Sequence, residues 1–154
     1  MNIRAFTETD GLQTIELFRK TVHEVCKKDY SPEQLNAWAP EHIDLEKWTS
    51  RLKNSFAVVA DVEGRICGFA SLTADGCVDM FYVAAHTQGL GVGAQLLGKL
   101  EEEAKRTGIQ ELHGDVSLTA RAFFKQMGFT IEKEYSKFLG DIEFRNAIMV
   151  KMLN

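Results

Sequence analysis

The stretch from Val78 to Gly93, VDMFYVAAHTQGLGVG, constrains this chain more than any other. An apolar run, Val78–Ala85, leads through a polar turn into Gln88-Gly89-Leu90-Gly91-Val92-Gly93, and the helix-like pattern AQLLGKLEEEAKR comes next. A buried strand, a glycine-rich turn and a helix start, in that order, make an anion cradle. The first turn of a helix has N–H groups without intrahelical acceptors, and its dipole favours negative charge there. Glycine lets a phosphate reach the backbone because no Cβ intervenes. The expected guest is a phosphate-bearing cofactor.

Two cofactor patterns fit this turn. Gly89, Gly91 and Ala94 satisfy G-x-G-x-x-G/A, with Asp115 about twenty residues on, as a dinucleotide site requires. Gln88, Gly91 and Gly93 satisfy [Arg/Gln]-x-x-Gly-x-[Gly/Ala], the turn that grips the pyrophosphate of coenzyme A. A dinucleotide loop usually opens its domain and needs a second βαβ half. Here roughly half the chain precedes the loop, and the C-terminal residues read strand, helix, strand, strand. That layout favours coenzyme A.

With these residues in view, the chain resembles the GNAT superfamily of acetyl-CoA-dependent N-acetyltransferases over nearly its whole length. Asp79–Ala85 with Gln88–Ala94 resembles the family's cofactor motif. Val116-Ser117-Leu118-Thr119-Ala120-Arg121-Ala122-Phe123-Phe124-Lys125-Gln126-Met127-Gly128-Phe129 resembles its second motif, N-A-x-x-F-Y-x-K-x-G-F. Tyr30–Trp38 further resembles the bacterial YafP-like branch. The resemblance implies one α/β (α+β) domain over residues 1–154, with a twisted, mostly antiparallel sheet and flanking helices. Its central parallel strand pair is expected to splay at Val83. It also implies acetyl-CoA as cofactor, with the pyrophosphate on Gln88, Gly89, Leu90, Gly91, Val92, Gly93 and Ala94. Phe81, Tyr82, Val83, Thr119, Phe123 and Phe124 would line the rest of the cofactor. The partner it implies is an amine acceptor, small molecule or peptide, and the family often forms homodimers.

At 154 residues, 45% of them hydrophobic, the chain can bury one core. A net charge of −4 argues against nucleic-acid binding that rests on bulk charge. Cys26, Cys67 and Cys77 are odd in number and sit in helical or strand-like runs, so they read as reduced thiols. The start MNIRAFTETD has no apolar signal core, and no run approaches a membrane span. A cytoplasmic protein is expected, with no membrane partner. The four histidines have no metal-ligand spacing with each other or with the cysteines, and no metal is implied.

Along the chain, a short strand at Asn2–Phe6 precedes an apolar helix stripe from Leu12 to Cys26, with Thr9 or Asp10 as N-cap. Ser31-Pro32-Glu33-Gln34 starts a short helix that carries a capping box and stops before Pro40. Leu45, Trp48 and Leu52 give one more helix face. The whole of Asp10–Asn54 reads as a lid-like insertion. Phe56–Val62 and Arg65–Thr73 form a hairpin, Val78–Ala84 the central strand and Gln95–Thr107 a helix. Ile109–Val116 is a strand parallel to the central one, Thr119–Met127 a helix, and Phe129–Phe138 with Ile142–Leu153 a closing hairpin.

Acetyl transfer requires a polarised thioester carbonyl, a deprotonated amine, a stabilised thiolate and reactants held in line. By motif spacing, the N–H that receives the acetyl oxygen belongs to Val83 or a neighbour. Asp79, the one charged residue in its run, lies four positions before Val83, so the two share a strand face. It is a candidate base or substrate ligand, or simply half of an ion pair. The family's tyrosine is Phe124 here, which donates no proton. Tyr135, Tyr82 or water is left to meet the thiolate. Tyr30 and Trp38 either contact the acceptor or anchor their helix to the sheet.

Overall fold

The computed structural model describes residues 1–154. Strand β1 (Asn2–Ala5) leads through a 3-10 turn at Glu8–Asp10 into α1 (Gly11–Val25), then come α2 (Pro32–Trp38) and α3 (Leu45–Lys53). Strands β2 (Phe56–Val62), β3 (Arg65–Leu72) and β4 (Val78–Val83) are next, then α4 (Val92–Arg106) and β5 (Glu111–Val116). Helix α5 (Arg121–Gln126) and strands β6 (Thr130–Leu139) and β7 (Ile142–Met152) complete the chain. No helix is long and apolar enough to cross a membrane.

Local chemistry accounts for many of these boundaries. Ser31 Oγ accepts the Gln34 N–H at 3.2 Å while Gln34 Oε1 accepts the Ser31 N–H at 2.8 Å, closing the capping box of α2. The turn before α1 is clamped by Arg4, whose guanidinium donates to both oxygens of buried Asp10 at 2.8 and 2.9 Å. Helix α4 begins at Val92, three residues before the expected Gln95. The reason is that Gly91 takes a left-handed φ of 84° and serves as its N-cap.

The strands form two antiparallel sheets, ordered β1-β2-β3-β4 and β5-β7-β6. A parallel bridge between Cys77 and His113 joins them, beside the His113 N–H to Gly76 O bond of 3.0 Å. Strands β4 and β5 therefore part directly above Cys77, and not at Val83 as expected. The central pair is parallel, but it shares no ladder. This topology also removes the dinucleotide alternative, which needs a doubly wound parallel sheet.

Helix α4 covers one face of the first sheet through Leu96, Leu97, Leu100 and Ala104, all at most 2% exposed. The other face receives α1, whose Ile15, Leu17, Phe18 and Val22 are buried in the same 34-residue core cluster. The segment expected to be a lid is thus a packed layer. An apolar stripe announces that a helix must be covered, but not whether it covers a core or a cleft.

Candidate active site

The wedge between β4 and β5 opens into a cavity of about 810 Å³. Every residue expected at cofactor or acceptor lines it except Leu90, which points outward at 70% exposure.

At one end stands the glycine turn. The N–H groups of Val92, Gly93 and Ala94 precede the first helical bond, Gln95 N–H to Gly91 O at 3.1 Å, so they have no acceptor within α4. No acidic residue occupies that first turn. Gly89 and Gly91 both have positive φ, and a Cβ on either would meet nothing within 4 Å. Gly93 is glycine for a different reason: a Cβ there would stand 2.9 Å from two ring carbons of Phe123. The Gln88 amide donates to Val83 O at 3.1 Å, tying the turn back to β4.

The free edge of β4 runs from this turn into the wedge. Ala84 N–H bonds Cys67 O at 2.8 Å on the β3 side. Successive strand N–H groups point to opposite edges, so the N–H of Val83 faces the wedge. Phe81 packs with Phe123 and Phe124 of α5 at 5.3 Å each. Phe124 is 5% exposed and is also met edge-on by Phe129 at 5.1 Å. The position where the family has a phenol is thus the centre of a ring cluster. Thr119 donates to Asp29 Oδ2 at 2.7 Å.

Asp79 departs from its expected geometry. The register runs Leu72↔Val78 and then Ser71↔Met80, which leaves Asp79 as the extra residue of a β-bulge. Alternation does not carry across a bulge, so Asp79 does not share the face of Val83. Its two oxygens instead accept Nε and Nη2 of Arg51 on α3, both at 2.8 Å. That bond raises the Arg51 pKa against the opposing effect of burial.

On the opposite wall, Asp115 accepts from Tyr135 Oη at 2.7 Å, Asn146 Nδ2 at 3.1 Å and Lys137 Nζ at 3.2 Å. Burial, with Asp115 beside it, pushes the Tyr135 phenol up to about 12, so it is a bound donor and a weak acid. Tyr82 turns the other way, onto Phe18 at 4.9 Å and Phe69 at 5.5 Å, and burial raises its pKa while Trp38 opposes this. Tyr30 is 6% exposed, and its hydroxyl accepts the Leu118 N–H at 2.8 Å, which fixes the loop before α5. Its ring meets Trp38 edge-on at 5.3 Å, and Trp38 lines the cavity. Neither Arg51 nor Lys137 belongs to a motif, and Asp115 belongs only to the dinucleotide pattern. Each is an ordinary polar residue in its own segment, brought to the wall only by tertiary packing.

The acetyltransferase (GNAT) domain family model matches residues 26–143. The N-acetyltransferase YafP of Escherichia coli (strain K12), itself uncharacterised, is 31% identical over 134 residues, 87% of this chain and 84% of that protein. A GCN5-related N-acetyltransferase from Rhodopseudomonas palustris superposes with a TM-score of 0.94 at 30% identity, covering 99% of this chain and 95% of the other. The PaiA N-acetyltransferase of Thermoplasma acidophilum, solved with coenzyme A, shares the fold at a TM-score of 0.82 and 21% identity, over 99% and 98% of the two chains.

Proposed function

The chain belongs to the acetyltransferase (GNAT) domain family, and from that premise we propose that residues 1–154 act as one domain moving the acetyl group of acetyl-CoA to a primary amine in a ternary complex. The observation that carries this reading is the open β4 edge, with the Val83 N–H facing the wedge and a free helix N-terminus at its end.

The pyrophosphate rests on the N–H groups of Val92, Gly93 and Ala94, where α4 favours negative charge. The thioester arm runs along the free edge of β4 past Phe81 and Phe123. Its carbonyl oxygen accepts the Val83 N–H, a donor fixed in advance and therefore suited to the charge that develops in the transition state. The amine enters from the side of α1, α2 and α3. Its lone pair forms the new C–N bond as the C–S bond breaks, and coenzyme A leaves as a thiolate.

The amine proton passes to Asp79, directly or through one water. Arg51 holds that carboxylate in place through both oxygens. Transfer of the amine into a ring-lined pocket already disfavours its charged form, so only a modest base is needed. With Phe124 in the tyrosine position, solvent protonates the thiolate, which is a tolerable leaving group without help.

Calorimetric titration with acetyl-CoA, coenzyme A and NAD tests the cofactor, and thiol release over an amine panel tests the transfer. Binding of both coenzyme A forms, with release that drops sharply in Asp79→Asn, is the expected result. Binding with no release on any amine would favour a non-catalytic acyl-CoA-binding module, the reading to which Phe124 lends support. Absence of coenzyme A affinity would overturn the proposal.

A further inference from the structure

Four charged residues line the cavity and stand on its two walls as ion pairs, Arg51 with Asp79 and Lys137 with Asp115. Asp79 and Asp115 each lie two residues past the Cys77–His113 bridge, on the two strands that part there. Both pairs are layered alike. The carboxylate side chains of Asp79 and Asp115 are 24% and 30% exposed, whereas those of Arg51 and Lys137 are 56% and 43% exposed. The acids therefore sit deeper and the cations nearer to solvent, in a chain whose net charge is −4.

Neither cation is used up by its partner. Arg51 gives Nε and one Nη2 hydrogen to Asp79, which leaves Nη1 and the second Nη2 hydrogen on the outer edge of the guanidinium. Asp115 is held by Tyr135 at 2.7 Å and Asn146 at 3.1 Å, so Lys137, the most distant of its donors at 3.2 Å, is free to turn to another anion. Lys137 faces Phe144 across the β6–β7 ladder, and Phe144 packs against Trp38 of α2. Cross-strand partners share a face, so Lys137 stands on the side from which the amine enters. Two positions on, Leu139 is exposed on the same strand face, and it lines the cavity together with half-buried Trp38.

Resting on the acetyltransferase reading above, we propose that the acceptor is an α-amino acid with an apolar side chain, its carboxylate held between the outer N–H groups of Arg51 and the Lys137 ammonium. Such a molecule carries amine and carboxylate on one carbon, in the same side-by-side relation as Asp79 and Arg51. It therefore lies head to tail on that pair. The amine reaches Asp79, whose oxygens keep lone pairs beyond the two bonds from Arg51, and gives up its proton there. The side chain packs on Trp38 and Leu139. A polyamine would have to bring further positive charge past the two outer cations. The α-amide of the same amino acid would leave both cations without an anion.

The test uses the full chain and thiol release with acetyl-CoA. The probes are leucine and phenylalanine, each as the free acid and as the α-amide, with spermidine beside them. The free acids are expected to exceed their amides and spermidine in kcat/KM by about tenfold or more, the size of a lost charge-assisted contact. Lys137→Met leaves Asp115 with Tyr135 and Asn146, so its melting temperature should stay close to that of wild type. It is expected to lower the acid-to-amide ratio of kcat/KM about tenfold, and Lys137→Arg, which keeps the charge, to restore most of it. Amides matching acids in wild type, or Lys137→Met lowering both by the same factor, would overturn the carboxylate assignment. Release with spermidine alone would overturn the substrate class and leave the transferase reading standing. Release with none of the probes would overturn the class as well. Failure of coenzyme A to bind would instead sink the cofactor reading, and the titration described above detects that separately.

Discussion

Gly93→Ala separates two reasons for a small residue at the start of α4. The added Cβ would stand 2.9 Å from both Cε1 and Cζ of Phe123, closer than unbonded carbons sit without displacement. Phe123 cannot yield freely, because its ring packs against Phe81 and Phe124 at 5.3 Å each. The backbone is no obstacle, and alanine's helix preference favours the variant by about 0.5–1 kcal/mol. Overpacking a close-packed cluster costs about 1–3 kcal/mol, so the sum is a net loss of up to about 2 kcal/mol. Gly98, in the same helix, is the control, since a Cβ there meets nothing within 4 Å. Gly98→Ala keeps only the propensity gain. The two variants should differ by about 1–3 kcal/mol, roughly 2–12 °C in melting temperature for a chain of this size. Scanning calorimetry reads that gap. Steady-state kinetics should show KM for acetyl-CoA raised in Gly93→Ala alone, because the displaced ring narrows the path of the thioester arm. Equal melting temperatures and equal KM values for the two variants would refute the packing account.

Two further outcomes concern buried and half-buried charge. Arg4→Met leaves Asp10, whose side chain is 6% exposed, without its main partner. The loss should be about 2–3 kcal/mol, below that of a fully buried pair because Arg4 keeps a third of its surface in water. Arg4 holds the Asp10 pKa below the usual carboxylate range, with burial opposing. The contribution is therefore present above pH ~4 and lost as pH falls through the depressed value. A urea-midpoint gap between wild type and Arg4→Met that persists undiminished into strong acid would contradict this. At the other extreme, burial and then the carboxylates of Asp79, Asp75 and Asp115 push the Cys77 thiol up to about 11. Its stabilising share is complete below pH ~9 and declines as pH rises through the folded value. Iodoacetamide should label Cys77 slowly at pH 8, and faster in Asp115→Asn, where one of the raising charges is gone. Labelling at pH 8 as fast as that of free cysteine would refute the assignment.

The legible parts of the chain are those that neighbours in sequence decide. The capping box at Ser31, the hairpin of β2 and β3, and the glycine turn before α4 are all set within a few residues, and each lies where expected to within about three positions. The failures share a different cause. Period-two counting gives Asp79 a face by assuming an unbroken ladder, and the bulge that breaks it is a property of the pairing with Ser71 and Leu72. Its partner Arg51 lies 28 residues away on a helix whose apolar residues are the legible ones. Gly93 carries a phosphate-loop signature, but the contact that excludes a side chain comes from Phe123, thirty positions later. Asp115 stands out in the sequence only as the acidic residue of a dinucleotide pattern. The structure ties it to three donors from β6 and β7, none of which a spacing rule could have linked to it.

The order β5-β7-β6 has a consequence for how this chain is made. Strands β2, β3 and β4 pair with the strand just before them, so each can dock as it leaves the ribosome. Strand β5 has no such neighbour: its partner is β7, which is made only after β6. From Val116 to Met152 that wait lasts roughly 2–7 s at common translation speeds of about 5–20 residues per second. Throughout it, β5 offers an unmatched edge and half of the wedge is missing. Loss of β7 alone would strand β5 and β6 together, so changes that stop translation just before Ile142 should be as damaging as ones that stop it far upstream.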